Sequence, residues 1–167
     1  MKKLIGIGLL SICFPIFAYA ASGIVVFSGN NPMGLLVQGQ LSGVQDSQKT
    51  WTGTVFNGTL RVSGPLPGGI LQGGGPVSLV TIPVGKDQYE GHARAIQLIG
   101  TLTIGGRICA LVDSGLVMKL SIDKNNQATL EMGSNRPSSM SCPGMGLLPG
   151  IPLLPMGYRE TVPILIH

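Results

Sequence analysis

The residues with the most chemical promise lie in Ala110-Leu-Val-Asp113-Ser114-Gly115-Leu-Val-Met-Lys-Leu120, where an acid and a hydroxyl interrupt two apolar runs. A carboxylate placed between strands is a candidate for acid–base chemistry, and Asp-Ser-Gly is equally an ordinary turn. Few other reactive groups stand beside it. His92 and His167 are isolated, and no Gly-x-Ser-x-Gly elbow supplies a nucleophile for either. Met140-Ser-Cys142-Pro-Gly-Met145, with Met132 and Met156 nearby, gathers soft ligands of the kind that suit Cu(I). Methionine filling an irregular core, with Cys142 in a disulfide, is the stronger reading, so neither a metal nor a cofactor is expected. Gly73-Gly74-Gly75 lacks the Lys-Ser/Thr and helix of a phosphate loop.

The segment 110–120 resembles the active-site segment of retroviral-type aspartic peptidases, in which apolar residues lead into Asp-Ser/Thr-Gly and a second apolar strand. By that resemblance Asp113 would be the catalytic carboxylate and Ser114 its brace. The second Asp113 would come from a dimer mate, the pair sharing a proton and activating water. The likeness covers about ten residues. It is carried as the alternative to a non-enzymatic function.

What must position these residues is set first by the N-terminus. Lys2 and Lys3, the apolar run 4–17 and Ala18-Tyr19-Ala20 have the three-part pattern of a cleaved export signal, residues 1–20, leaving a domain of residues 21–167. The run is shorter than a spanning helix needs and contains Pro15. Of eleven Lys/Arg, loss of Lys2 and Lys3 leaves nine against seven Asp/Glu, a formal charge of +2. Those cations are scattered singly, which gives no footprint for nucleic acid. Cleavage also removes Cys13, and in an oxidising compartment Cys109 and Cys142 are expected to pair.

The remaining chain is rich in glycine and proline, yet aliphatic residues are plentiful and the mean hydropathy of the whole sequence is positive, which opposes disorder. Apolar alternation with period two recurs and no capped helical period does, so the expectation is an all-β domain: a single small antiparallel β-sandwich or barrel of about eight short strands. Asn57-Gly58 predicts a type I′ turn joining strands at 51–56 and 59–63, with Trp51, Val55, Leu60 and Val62 on one face. Gly105-Gly106 predicts a second hairpin, 94–104 with 107–112, setting Leu102 opposite Cys109 and Gly100 opposite Leu111. Strands at 116–122 and 128–132 complete a four-strand meander, with Asp113 where the strand from 107 ends. Further strands are expected at 24–27, 35–41, 77–82 and 162–166, with Pro83 and Pro163 at strand ends or on an edge. The segments 63–76 and 133–157 read as Gly/Pro-rich loops.

The expected function is that of an exported, non-enzymatic β-domain, periplasmic or secreted, with a binding or assembly role toward an unknown protein or envelope partner of a bacterial-type cell. Leu147, Leu148, Ile151, Leu153 and Leu154, in the apolar stretch 144–157, are the expected anchors, and membrane contact through that stretch is compatible with them. Besides the peptidase, the alternative is an outer-membrane-associated barrel.

Overall fold

A computed structural model describes residues 20–66, 69–134, 136–150, 154 and 157–167, without the side chains of 94, 95, 148 and 149. The export signal expected over 1–20 lies, apart from Ala20, outside the described residues. Alternation of buried and exposed side chains is realised in strands β1 (Ser22–Asn30), β2 (Leu36–Val44), β3 (Val55–Leu66), β4 (Gly69–Gly85), β5 (Gln88–Ile104), β6 (Arg107–Ile122), β7 (Gln127–Ser134), β8 (Ser139–Cys142), β9 (Gly146–Pro149), β10 (Tyr158–Pro163) and β11 (Leu165–Ile166). All pair antiparallel in one sheet, in the order β10-β7-β6-β5-β4-β3-β2-β1-β11. β7 and β8 lie end to end along β6, and β9 and β10 lie along β8 and β7. Six single strands and two composite ones therefore make an up-and-down meander of eight staves.

The meander closes on itself, which decides for a barrel over a sandwich. β10 pairs with β7, and after Ile164 the same segment continues as β11 on β1, setting Gly23 opposite Ile166. Ser22 and His167 exchange backbone hydrogen bonds at 3.2 and 2.9 Å. Closure removes free edges along this part of the sheet. Inside, Val25, Phe27, Leu41, Phe56, Leu60, Val62, Leu79, Leu98, Leu116, Met118, Leu120 and Leu130 form one apolar core. Trp51, in the β2–β3 loop, closes one end: its ring lies 5.3 Å from that of Phe56 and its indole N–H donates to Asn126 Oδ1 at 2.9 Å.

Glycine explains how so narrow a barrel holds these side chains. A Cβ on Gly39 would come within 2.3 Å of the Phe27 ring, and one on Gly23 within 2.2 Å of the Trp51 ring. Each glycine thus leaves room for a large ring beside it, Gly39 for its ladder neighbour Phe27 and Gly23 for Trp51 at the barrel end. Gly105 and Gly106, at φ 54° and 78°, make the β5–β6 turn as expected, with Leu102 opposite Cys109 and Gly100 opposite Leu111.

Four expectations about local structure are corrected. There is no turn at Asn57-Gly58: β3 runs straight through, with Asn57 between Ser42 and Ser78 and Gly58 between Leu41 and Val77. Phe56 is consequently inside and Val55 outside. Burial of Phe56 and two flanking ladders outweigh a local turn preference. The segment 63–76 is the paired end of β3 and β4 instead of a loop, because its glycines let neighbouring backbones approach closely. The segment 133–157 carries the β8–β9 hairpin. Finally, β6 does not end at Asp113 but bends there and continues, so the expected four-strand meander has three staves.

Candidate functional site

Asp113 sits where β6 changes partner. Before it, Ala110, Leu111 and Val112 pair with β8; after it, Leu116 to Ile122 pair with β7, and the register against β5 slips between Ile96 and Leu98. At the bulge the Asp113 carboxylate, 0% exposed, serves the Gly115 N–H of its own strand and a side chain of β7. Its Oδ1 accepts the Gly115 N–H at 2.7 Å and its Oδ2 accepts the Ser134 hydroxyl at 2.8 Å. Ser134 Oγ in turn accepts the Leu154 N–H at 3.2 Å, while the Ser134 N–H donates to the Leu154 carbonyl at 3.1 Å.

This arrangement ties β6, β7 and the return to β10 together; it presents no acid to a substrate. Ser114 points outward and is exposed, so the brace of Asp113 is Ser134, which no motif near Asp113 marks. A second Asp113 from another copy has no approach to a carboxylate enclosed in this way. Sequence reasoning missed Ser134 because only the pairing of β7 with β6 brings it there.

Cys109 and Cys142 are joined by a disulfide across the end of the β6–β8 ladder, and both are buried. Cys142 therefore offers no thiolate to the neighbouring methionines, and Met145 is exposed at the hairpin tip. Among the described residues no group of three His, Cys, Asp or Glu could hold a metal ion.

The anchor residues divide. Leu147 is 76% exposed, whereas Leu154 is fully buried in the core, a correction to its expected place on a contact surface. Ile151 and Leu153 lie outside the described residues, as does the side chain of Leu148. Leu147 belongs to a larger feature. Beyond the β1–β2 turn, β3 to β6 and the β8–β9 hairpin continue as a wall whose outward face carries cross-strand rows. One runs Pro65, Ile70, Thr103, Ile108; another runs Gln72, Thr101, Ala110, Ser141, Leu147. Ile108 is 64% exposed and Ile99 62%, with Ile70 and Met145 also exposed. In 63–75, 97–112 and 139–149 together, Arg107 is the one charged residue. We refer to this end as the crown.

The opposite end is its electrostatic converse. Its loops carry Asp46, Lys49, Lys86, Asp87, Asp123 and Lys124. Asp46 Oδ1 accepts the Thr50 N–H at 2.7 Å and Oδ2 accepts the Thr50 hydroxyl at 2.6 Å, which holds this carboxyl below its ordinary range. On the barrel side Lys119 Nζ lies 2.7 Å from Glu90 Oε1, and Lys119 holds the Glu90 carboxyl below its usual value. His92 lies 3.6 Å from the other Glu90 oxygen. Such solvated pairs contribute little stability.

One cleft of about 550 Å³ opens where β1 and β10 diverge, lined by Asn31, Pro32, Met132, Tyr158 and Arg159 among others. Beside it Glu160 accepts the Ser28 N–H at 3.0 Å and the Tyr158 hydroxyl, filling a gap in the ladder. Burial and the adjacent Glu160 carboxylate push the Tyr158 hydroxyl well above its ordinary pKa. Comparison with protein-family models, with curated proteins and with solved structures finds no match for this chain.

Proposed function

We propose that the mature chain is an exported, non-enzymatic β-barrel that works by contact, with the crown as its binding surface. The observation that carries this reading is the segregation of charge: an outward wall with exposed Ile70, Ile99, Ile108 and Leu147 and a single charged residue, Arg107, at one end, and the charged loops at the other. Exposed Val44, Val55, Val80, Ile82 and Val84 also stand at the other end, but there beside charged loops, whereas an exposed apolar patch with little charge around it marks an interaction site. The enclosure of Asp113 weighs against the peptidase. The barrel interior is packed with Leu, Phe and Val, and the outer face of the body mixes Ser, Gln, Thr and ion pairs with exposed Val26, Val44, Val55, Val80, Ile82 and Val84; this is neither a polar lumen nor a continuous apolar band, which favours docking over spanning. The Cys109–Cys142 disulfide is compatible with an oxidising compartment and with the export signal expected at the N-terminus.

The test is site-specific photo-crosslinking in the intact envelope, with the reactive residue at position 147 or 108 and, as control, at Gln38 on the barrel side. Adducts to a partner or to lipid at 147 and 108, with none at 38, are expected. Labelling at 38 alone, or at no position, would retire the reading.

A further inference from the structure

We infer that the crown docks on the surface of an anionic lipid bilayer, its hairpin tips dipping into the headgroup region without crossing the membrane; this rests on the crown being the contact surface. Three features of the crown select this occupant.

The first is sign. The exposed charges on and around the wall are cationic: Arg107 at the β5–β6 tip, Arg61 on β3 and Arg136 before β8. The wall's one acid, Asp113, is enclosed and hydrogen-bonded. A surface of apolar side chains with a few arginines and no exposed carboxylate is complementary to anionic headgroups over acyl chains.

The second is shape. A protein partner is held by anchors seated in pockets. Ile70, Ile99, Ile108 and Leu147 instead stand out from a sheet face whose neighbours are Gly, Ser and Thr, which a fluid partner accommodates without complementary relief.

The third is depth. On β3 only four positions separate Pro65 from the exposed Arg61, about 13 Å at ~3.3 Å per residue, under half of a hydrocarbon core of ~30 Å. The neighbouring β4 carries no charge from Gly69 to Gly85, so it is Arg61 on β3 that sets the depth to which this side of the wall enters the interface. Arg107, at the tip, has a stem long enough to return its guanidinium to the phosphates.

The experiment uses the oxidised mature protein with vesicles of phosphatidylcholine alone or mixed with phosphatidylglycerol, read by co-sedimentation. Binding to the mixed vesicles is expected, roughly tenfold weaker on phosphatidylcholine alone and weakened by salt. Ile108→Glu combined with Leu147→Glu is expected to lower binding by at least roughly tenfold without shifting the thermal midpoint, since both positions are exposed. A second readout does not depend on weakening the protein: Leu147→Trp gains an indole whose emission should shift to the blue on the mixed vesicles, against a constant signal from buried Trp51. Absence of vesicle binding, binding unchanged in the double Glu variant, or copies associating through the crown in place of vesicle binding would each overturn the inference. Protein adducts at position 147 in the intact envelope, without vesicle binding, would overturn the lipid partner alone and leave the crown as the contact surface.

Discussion

Ser134 donates its hydroxyl to the Asp113 carboxylate at 2.8 Å, joining the end of β7 to the bend of β6 through an acid that touches no solvent. The same hydroxyl accepts the Leu154 N–H, so one short chain of hydrogen bonds fixes the point at which the last two staves are interrupted. The residue with the most catalytic appearance in the sequence is thereby an organiser of the wall.

Asp113→Ala should cost about 2–4 kcal/mol, because the Gly115 N–H and the Ser134 hydroxyl both lose a buried acceptor. Asp113→Asn should cost less, since its amide oxygen still serves Gly115 and Ser134 Oγ can accept from its NH₂. Urea midpoints at unchanged slope measure the series. Both the parent and Asp113→Asn should leave an unfolded substrate intact at acid pH. Cleavage by the parent and not by the variant would reinstate the peptidase.

Replacing Cys109 and Cys142 by serine should lower stability by about 3–4 kcal/mol in the chain-entropy account, the bridge closing a separation of 33 residues. The loss should appear in denaturant unfolding, and reduction of the parent by a thiol should reproduce it. A change near zero would mean that the β8–β9 hairpin is held by its ladder alone.

Stability should fall at alkaline pH through Tyr158. Its folded pKa is raised by burial and then by Glu160, so folding favours the protonated phenol. The contribution is fully present below the unfolded value of about 10 and is lost as pH rises from there through the folded value. Tyr158→Phe, which cannot ionise, should flatten that limb in a thermal-midpoint series against pH. A limb of equal slope in the variant would assign it to another group.

Gly58→Ala should destabilise by at least about 3 kcal/mol, since the new methyl would lie 1.8 Å from the Gln40 carbonyl oxygen and that contact is backbone. In a type I′ turn the same change would act only through backbone conformation, at about 1 kcal/mol. The size of the loss in chemical denaturation therefore separates an uninterrupted β3 from a hairpin at Asn57.

Where the sequence was legible, the signal was local and redundant. Leu116, Met118, Leu120 and Ile122 alternate without interruption, and Ala128, Leu130 and Met132 answer them across the Asp123 turn, whose carboxylate accepts the Asn125 and Gln127 N–H groups. The Gly105-Gly106 hairpin was legible because both turn residues need positive φ and nothing competes with them. Asn57-Gly58 carried an equally good local signal and was misleading, because Gly58 is there to let β2 approach. The glycines of 63–76 misled in the same way.

The sequence by itself determined the class: an alternating, glycine-rich chain with two late cysteines makes an antiparallel β-domain with one bridge, because period-two patterning and thiol count are properties of the chain alone. Only the tertiary structure decided that the sheet closes, that Phe56 faces in, that Ser134 braces Asp113 and that the charge-poor stretches meet on one wall. Each depends on which strand lies beside which, and pairing is settled by burying the whole apolar set at once, a sum that no local window contains.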